Sequence, residues 1–104
     1  MLNIDTYQEF TRSTAIYPKE VALDYLILGL ASEAGEVAGK RKKALRDGIF
    51  SEKDLVDEVG DVLWYAVRIL DELGWDASEV LVRNRDKLID RQNRDKIKGS
   101  GDNR

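Results

Sequence analysis

Neither cysteine nor histidine occurs anywhere in the 104 residues. Disulfides, thiolate nucleophiles, zinc-finger sites and imidazole acid–base chemistry are therefore excluded. Any metal must be held by oxygen ligands, which selects Mg²⁺, Mn²⁺ or Ca²⁺. The single proline, Pro18, follows Tyr17 and is expected to break or redirect the chain, because it has no backbone donor. No stretch is apolar for long enough to span a bilayer. The opening MLNIDTYQEF lacks the basic start and long apolar core of a signal peptide, so a cytoplasmic protein is expected. Asp, Glu, Lys, Tyr and the hydroxyl residues remain as candidates for chemistry.

Charge is unevenly spread. Residues 1–82 carry 9 basic and 16 acidic side chains, net −7, and residues 83–104 carry 8 basic and 4 acidic, net +4. A basic ending suits nucleic acid or a phosphorylated small molecule. Asp86, Asp90, Asp95 and Asp102 interrupt its cationic face, so nucleic acid is not the expected partner.

The apolar pattern is helical throughout, with no strand alternation and no internal linker. A first helix is expected from Asp5 to Thr14, capped by Asp5. A second should run from Lys19 to Arg46, its apolar side built from Leu23, Leu26, Ile27, Leu30, Ala34, Val37 and Ala38. Gly29, Gly35 and Gly39 weaken that helix, unless they serve close helix approach or leave space around acidic residues. Lys40-Arg41-Lys42-Lys43 suits the negative end of its dipole, and Asp47-Gly48 is a stop. Ser51 begins a third helix that Gly74 ends. Asp76 and Glu79 form a capping box for a fourth, from Ala77 to about Gln92, with Val80, Leu81, Leu88 and Ile89 as anchors. The short connections predict antiparallel sequential neighbours in an all-α, four-helix-bundle-like fold. One domain is expected over residues 1–98, followed by a Gly-rich tail at 99–104. Its wide apolar faces predict an oligomer.

Two acidic pairs interrupt these apolar faces. Glu33 and Glu36 lie three residues apart on the second helix, and Glu58 and Asp61 repeat that spacing on the third. Each pair falls on one side of its helix, about a turn apart. Glu33 belongs to the stripe Leu26, Leu30, Glu33, Val37, and Glu58 to the stripe Leu55, Glu58, Val62, Tyr65, Ile69. Both are inward-tending positions, where an unpaired carboxylate is costly. The plain alternative is pairing with Lys or Arg of another helix. Otherwise four carboxylates converging between two helices need a divalent cation, which suggests Mg²⁺ and phosphate chemistry. On the fourth helix Asn84, Lys87 and Arg91 share one face. Arg offers a planar fork for phosphate oxygens and Lys a mobile point charge. Trp64 and Tyr65, which follow the second acidic pair, are expected to serve core packing before ligand stacking.

The run Leu30-Ala31-Ser32-Glu33-Ala34-Gly35-Glu36-Val37, followed by Asp57-Glu58-Val59-Gly60-Asp61-Val62-Leu63-Trp64, resembles the MazG-like all-alpha nucleoside triphosphate pyrophosphohydrolases over nearly the whole chain. The family pattern is EExxE followed after a connection by ExxD. Ser32 stands at its first acidic position here. The tail, Gly99 to Arg104, is similar to the ending of small stand-alone, often phage-associated members. The resemblance implies cleavage of the α–β phosphoanhydride of a nucleoside or deoxynucleoside triphosphate to monophosphate and pyrophosphate. It implies Mg²⁺, or Mn²⁺, held by Glu33, Glu36, Glu58 and Asp61, with Glu33 as base or water-orienting group and Glu36 as the alternative. Lys87 and Arg91 would bind the β and γ phosphates, assisted by Asn84. Lys53 and Lys43 are further phosphate candidates, and Trp64, Tyr65 or Phe10 candidates for base and sugar. Asp102 would reach substrate across a subunit boundary. A homotetramer, as a dimer of dimers, is expected, with a dimer as the alternative assembly. The rival readings are a non-catalytic metal- or nucleotide-binding oligomer with a regulatory role, a purely structural bundle, and a nucleic-acid protein using the basic tail.

Overall fold

The computed structural model describes residues 1–95 and 97–102, so Asn103 and Arg104 of the Gly-rich ending lie outside the described residues, as does Lys96. Four α-helices follow one another: α1 (Ile4–Thr11), α2 (Ala22–Asp47), α3 (Glu52–Glu72) and α4 (Ala77–Asn93). Short 3₁₀ turns at Arg12–Thr14 and Lys19–Val21 flank the bend at Tyr17-Pro18. Gly48 and Gly74 follow the two long helices with φ of 72° and 79°, a left-handed conformation that glycine adopts without a Cβ penalty. Ser51 caps α3 by accepting from the Asp54 amide. No described helix is long and apolar enough to cross a membrane.

Two expected caps are corrected. Asn3, not Asp5, caps α1, in a reciprocal box with Thr6. Asp76 holds the cap position of α4, but its side chain makes no cap bond. The free amides there are satisfied from α1 instead: Ala77 N donates to Gln8 Oε1 at 2.6 Å and Ser78 N to Asp5 Oδ1 at 3.2 Å. Both residues therefore serve a helix more than sixty positions away, which local pattern reading cannot show.

The body of the fold is the α2–α3 hairpin. Gly29 faces Tyr65, and Glu33 approaches Glu58 and Asp61. Residue numbers rise on one helix as they fall on the other, so the pair is antiparallel. A Cβ on Gly29 would lie 2.1 Å from the Tyr65 ring. Glycine is required here for close approach, and the contact sits one helical turn from Glu33.

A polar core locks α1 and the bend onto α3. Arg68 is 3% exposed. It donates to Asp71 at 2.7 Å, to the Tyr17 hydroxyl at 2.9 Å, to Glu72 at 3.1 Å and to Thr11 Oγ1 at 3.3 Å. Tyr17 in turn hydrogen-bonds Glu72, and Gln8 Nε2 donates to Asp71 and to the Trp75 carbonyl. A buried guanidinium is tolerated when every partner is in place, and no buried side-chain donor or acceptor among the described residues lacks one.

The other expected neighbours are looser. The α4 helix meets α1 at its start and touches α3 little. Its expected anchors Leu81, Leu88 and Ile89 are exposed, as are Leu23 and Ile27 of α2. The chain exposes 7799 Å², where a compact monomer of this mass exposes about 5,900 Å². Its radius of gyration is 16.4 Å, against about 13 Å for a compact domain of this length. The body is open, with large apolar side chains facing out.

Two predictions follow from this packing. Gly29→Ala is expected to lower stability by about 1–3 kcal/mol through overpacking, whereas Gly39→Ala, whose Cβ would meet nothing within 4 Å, raises it by about 0.5–1 kcal/mol. Denaturant titration distinguishes them, and equal effects would contradict the close contact. Arg12, then Arg68 and Gln8, hold the Asp71 carboxyl down to about 2. A depressed carboxyl stabilises the fold above its unfolded value and loses that stabilisation as pH falls through its folded one. Asp71 thus contributes roughly 2 kcal/mol that disappears between about pH 4 and pH 2. Asp71→Asn should flatten the acid limb of stability against pH, and parallel curves would contradict the assignment.

Candidate metal centre

Glu33 on α2 and Glu58 and Asp61 on α3 each present a carboxylate oxygen, and the three oxygens lie within 4.8 Å of one another. The stripe Leu55, Glu58, Val62, Tyr65, Ile69 is half-buried along its whole length, because that face of α3 lies against α2. Glu33 is half-buried and Asp61 exposed, so the site opens to solvent at one side.

The electrostatics are those of an unneutralised cluster. The Glu33 carboxyl is pushed up by partial burial, then by the charges of Asp61 and Glu58, by a hydrogen bond with Glu58, and by Glu36. None of the four acids forms an ion pair with Lys or Arg among the described residues. Pairing with a basic residue of another helix is therefore not their solution. Three convergent carboxylate oxygens without histidine or sulfur form a donor set for a hard divalent cation. Glu36 stands apart from the three: it is exposed, and only its charge reaches Glu33.

The remaining candidates are dispersed. Trp64 packs edge-on against Tyr17 and Tyr65 and donates from its indole to Thr14 Oγ1 at 2.8 Å. Phe10 is exposed and tilted against Tyr7. Asn84 and Lys53 are exposed on α4 and on the first turn of α3. Lys43 lines a cleft of about 260 Å³ at the hairpin end with Lys40, Ser51 and Asp54. Lys87 and Arg91 come together, but around the chain's own Asp102. Among the described residues no contact joins them to the acidic cluster.

Two features escaped the sequence pattern. Arg68 sits inside an apolar helix face without a nearby motif to mark it, and its partners are scattered from Thr11 to Glu72. Tyr25 precedes Glu33 by eight residues, two turns along α2, and both raise the pKa of the Tyr65 hydroxyl. Burial raises the Tyr65 hydroxyl's pKa first, with Tyr25 and Glu33 adding to it. The spacing of Tyr25 and Glu33 was legible on a helical period, although tyrosine carries no metal signature.

Replacing one like charge tests the cluster. Glu58→Gln is expected to stabilise the protein without divalent ions by roughly 0.5–1 kcal/mol, the scale of one partly screened charge pair. The same variant should lose the rise in melting temperature that Mg²⁺ or Mn²⁺ gives the unsubstituted protein. A variant less stable than its parent in chelator would contradict mutual repulsion.

Comparison with known proteins agrees with this geometry. The model of the MazG nucleotide pyrophosphohydrolase domain matches residues 22–94, a span that takes in both acidic pairs and all of α4. The Gene 37 protein of Mycobacterium phage L5 is 42% identical over an alignment of 114 residues that covers 99% of this chain and 100% of that protein. No solved structure matches the chain. With the domain model covering more than half of its length and a relative spanning all of it, the chain belongs to the MazG nucleotide pyrophosphohydrolase family.

Proposed function

We propose that this protein hydrolyses the α–β phosphoanhydride of nucleoside or deoxynucleoside triphosphates, releasing monophosphate and pyrophosphate with Mg²⁺ as cofactor. The observation that carries the reading is the convergence of Glu33, Glu58 and Asp61 from two helices at the acidic positions of the family pattern. These residues would hold the cation, with Glu36 joining them after a change of rotamer. A divalent ion bound there supplies neutralisation for phosphate oxygens and a more acidic water.

The protein's own groups do the rest. Glu33, with Glu36 as the alternative, is the carboxylate to orient a water and take its proton. Lys87 and Arg91 serve the β and γ phosphates and Asn84 assists them, which requires the clasp with Asp102 to open. The cations and the acidic groove are unconnected within one chain, and much apolar surface is exposed. A homo-oligomer, with a dimer of dimers as the preferred form, would bring such separate halves of a site together. A cation held by the acidic cluster, together with the basic side chains of α4, would suit a triphosphate substrate, with water as the acceptor.

The test is a panel of all ribo- and deoxyribonucleoside triphosphates with Mg²⁺ and product identification. Monophosphate and pyrophosphate are expected, and Asp61→Asn should lower the rate about 10–100-fold or more. Diphosphate with orthophosphate would mean a different bond is cut. Nucleotide binding without any product would favour the regulatory, non-catalytic reading.

A further inference from the structure

Arg91 is a charged residue buried on the largely exposed α4, with its side chain 5% exposed. Its hydrogen bonds run to the chain's own ending. Nη2 donates to the Gly101 carbonyl at 3.3 Å, to the Asp102 carbonyl at 3.0 Å and to Asp102 Oδ1 at 3.2 Å. Lys87, one turn earlier, donates from Nζ to the same Oδ1 at 3.0 Å. One carboxylate oxygen therefore bridges an ammonium and a guanidinium, as a phosphate oxygen does between Lys and Arg. Gly101, at φ 79°, permits the turn that brings the oxygen there.

The two sides of this clasp differ. Lys87 is 38% exposed and Arg91 5%, but the Asp102 side chain is 79% exposed. The cations belong to the helix, and the anion is the removable member. A buried guanidinium left without a counter-charge is unfavourable, and Asp102 supplies that charge here. Asp102 brings one negative charge through a solvent-exposed carboxylate, a weak contact. A polyphosphate brings several charges and more acceptor oxygens to the same two donors.

We infer that Asp102 is an internal stand-in for a substrate phosphate: it neutralises Lys87 and Arg91 in the free protein, and a bound polyphosphate displaces it. This rests on the triphosphate reading above. It adds that the chain end is released from α4 as substrate binds, and that Asp102 competes with substrate and sets its affinity. Opposite signs separate this from the reading in which Asp102 itself contacts substrate.

The experiment compares the full chain with its Asp102→Asn variant. Three quantities are read: KM for a hydrolysed triphosphate, affinity for inorganic tripolyphosphate without metal by calorimetry, and amide exchange at residues 99–102. The variant should bind tripolyphosphate about two- to fivefold more tightly, the scale of an exposed ion pair, with KM falling alike. Saturating tripolyphosphate should speed exchange in the tail of the unsubstituted protein. Equal or weaker binding by the variant, no binding by either protein, or tail exchange unmoved by tripolyphosphate would overturn the proposal. The binding arm needs no turnover. Absent hydrolysis counts against the hydrolase reading alone, and the clasp is decided by tripolyphosphate.

Discussion

Two helices pressed close enough to crowd carboxylates are the constraint on which the rest of this structure depends. Tyr65 lies on Gly29 with no room for a Cβ between them, and this contact brings α2 and α3 together one turn from Glu33. At that separation Glu33, Glu58 and Asp61 meet, and their repulsion is left standing: Glu33 holds its proton more tightly, and among the described residues no basic side chain pairs with it. A fold that concentrates like charge in a half-buried groove gives up stability when empty and recovers it on binding a cation.

The opposite solution is found a few turns away. Arg68 is buried with Asp71, Glu72, Tyr17 and Thr11 around it, and its charge is met inside the chain. That network holds α1 and the Tyr17-Pro18 bend on the outer side of α3, while Gln8 and Asp5 cap α4. The hairpin is thereby framed by these elements, and Tyr17 of the bend joins Ala22 and Leu26 of α2 in the apolar core. Much of the remaining apolar surface, including Leu23, Ile27, Leu81 and Ile89, faces outward. Arg91 follows a third course, its charge met by Asp102 and by the backbone carbonyls of Gly101 and Asp102.

The helical order and the acidic groove were legible because both rest on local periodicity. The three-residue spacings place Glu33 and Glu36, and Glu58 and Asp61, on single helix faces, and the stripe through Leu55, Glu58 and Val62 marks the buried side. Glu36 shows the limit of such spacing: it falls just off the face that meets α3, so the pattern groups it with Glu33 while the packing leaves it outside. The caps of α1 and α4 were misassigned because Asp5 and Gln8 act across the fold, where no sequence window reaches. Leu81 and Ile89 read as core anchors since periodicity reports an apolar face without saying whether its cover comes from the same chain. The meeting of Asp102 with Lys87 and Arg91 depends on a turn at Gly101 that composition alone does not position.

Anomalous scattering from a crystal grown or soaked with Mn²⁺ tests the central claim most directly, since it locates the ion without reference to turnover. The account predicts a peak bounded by the carboxylates of Glu33, Glu58 and Asp61 between α2 and α3. A fully occupied peak elsewhere with that groove empty, or these three side chains directed away from one another in the assembled protein, would contradict it.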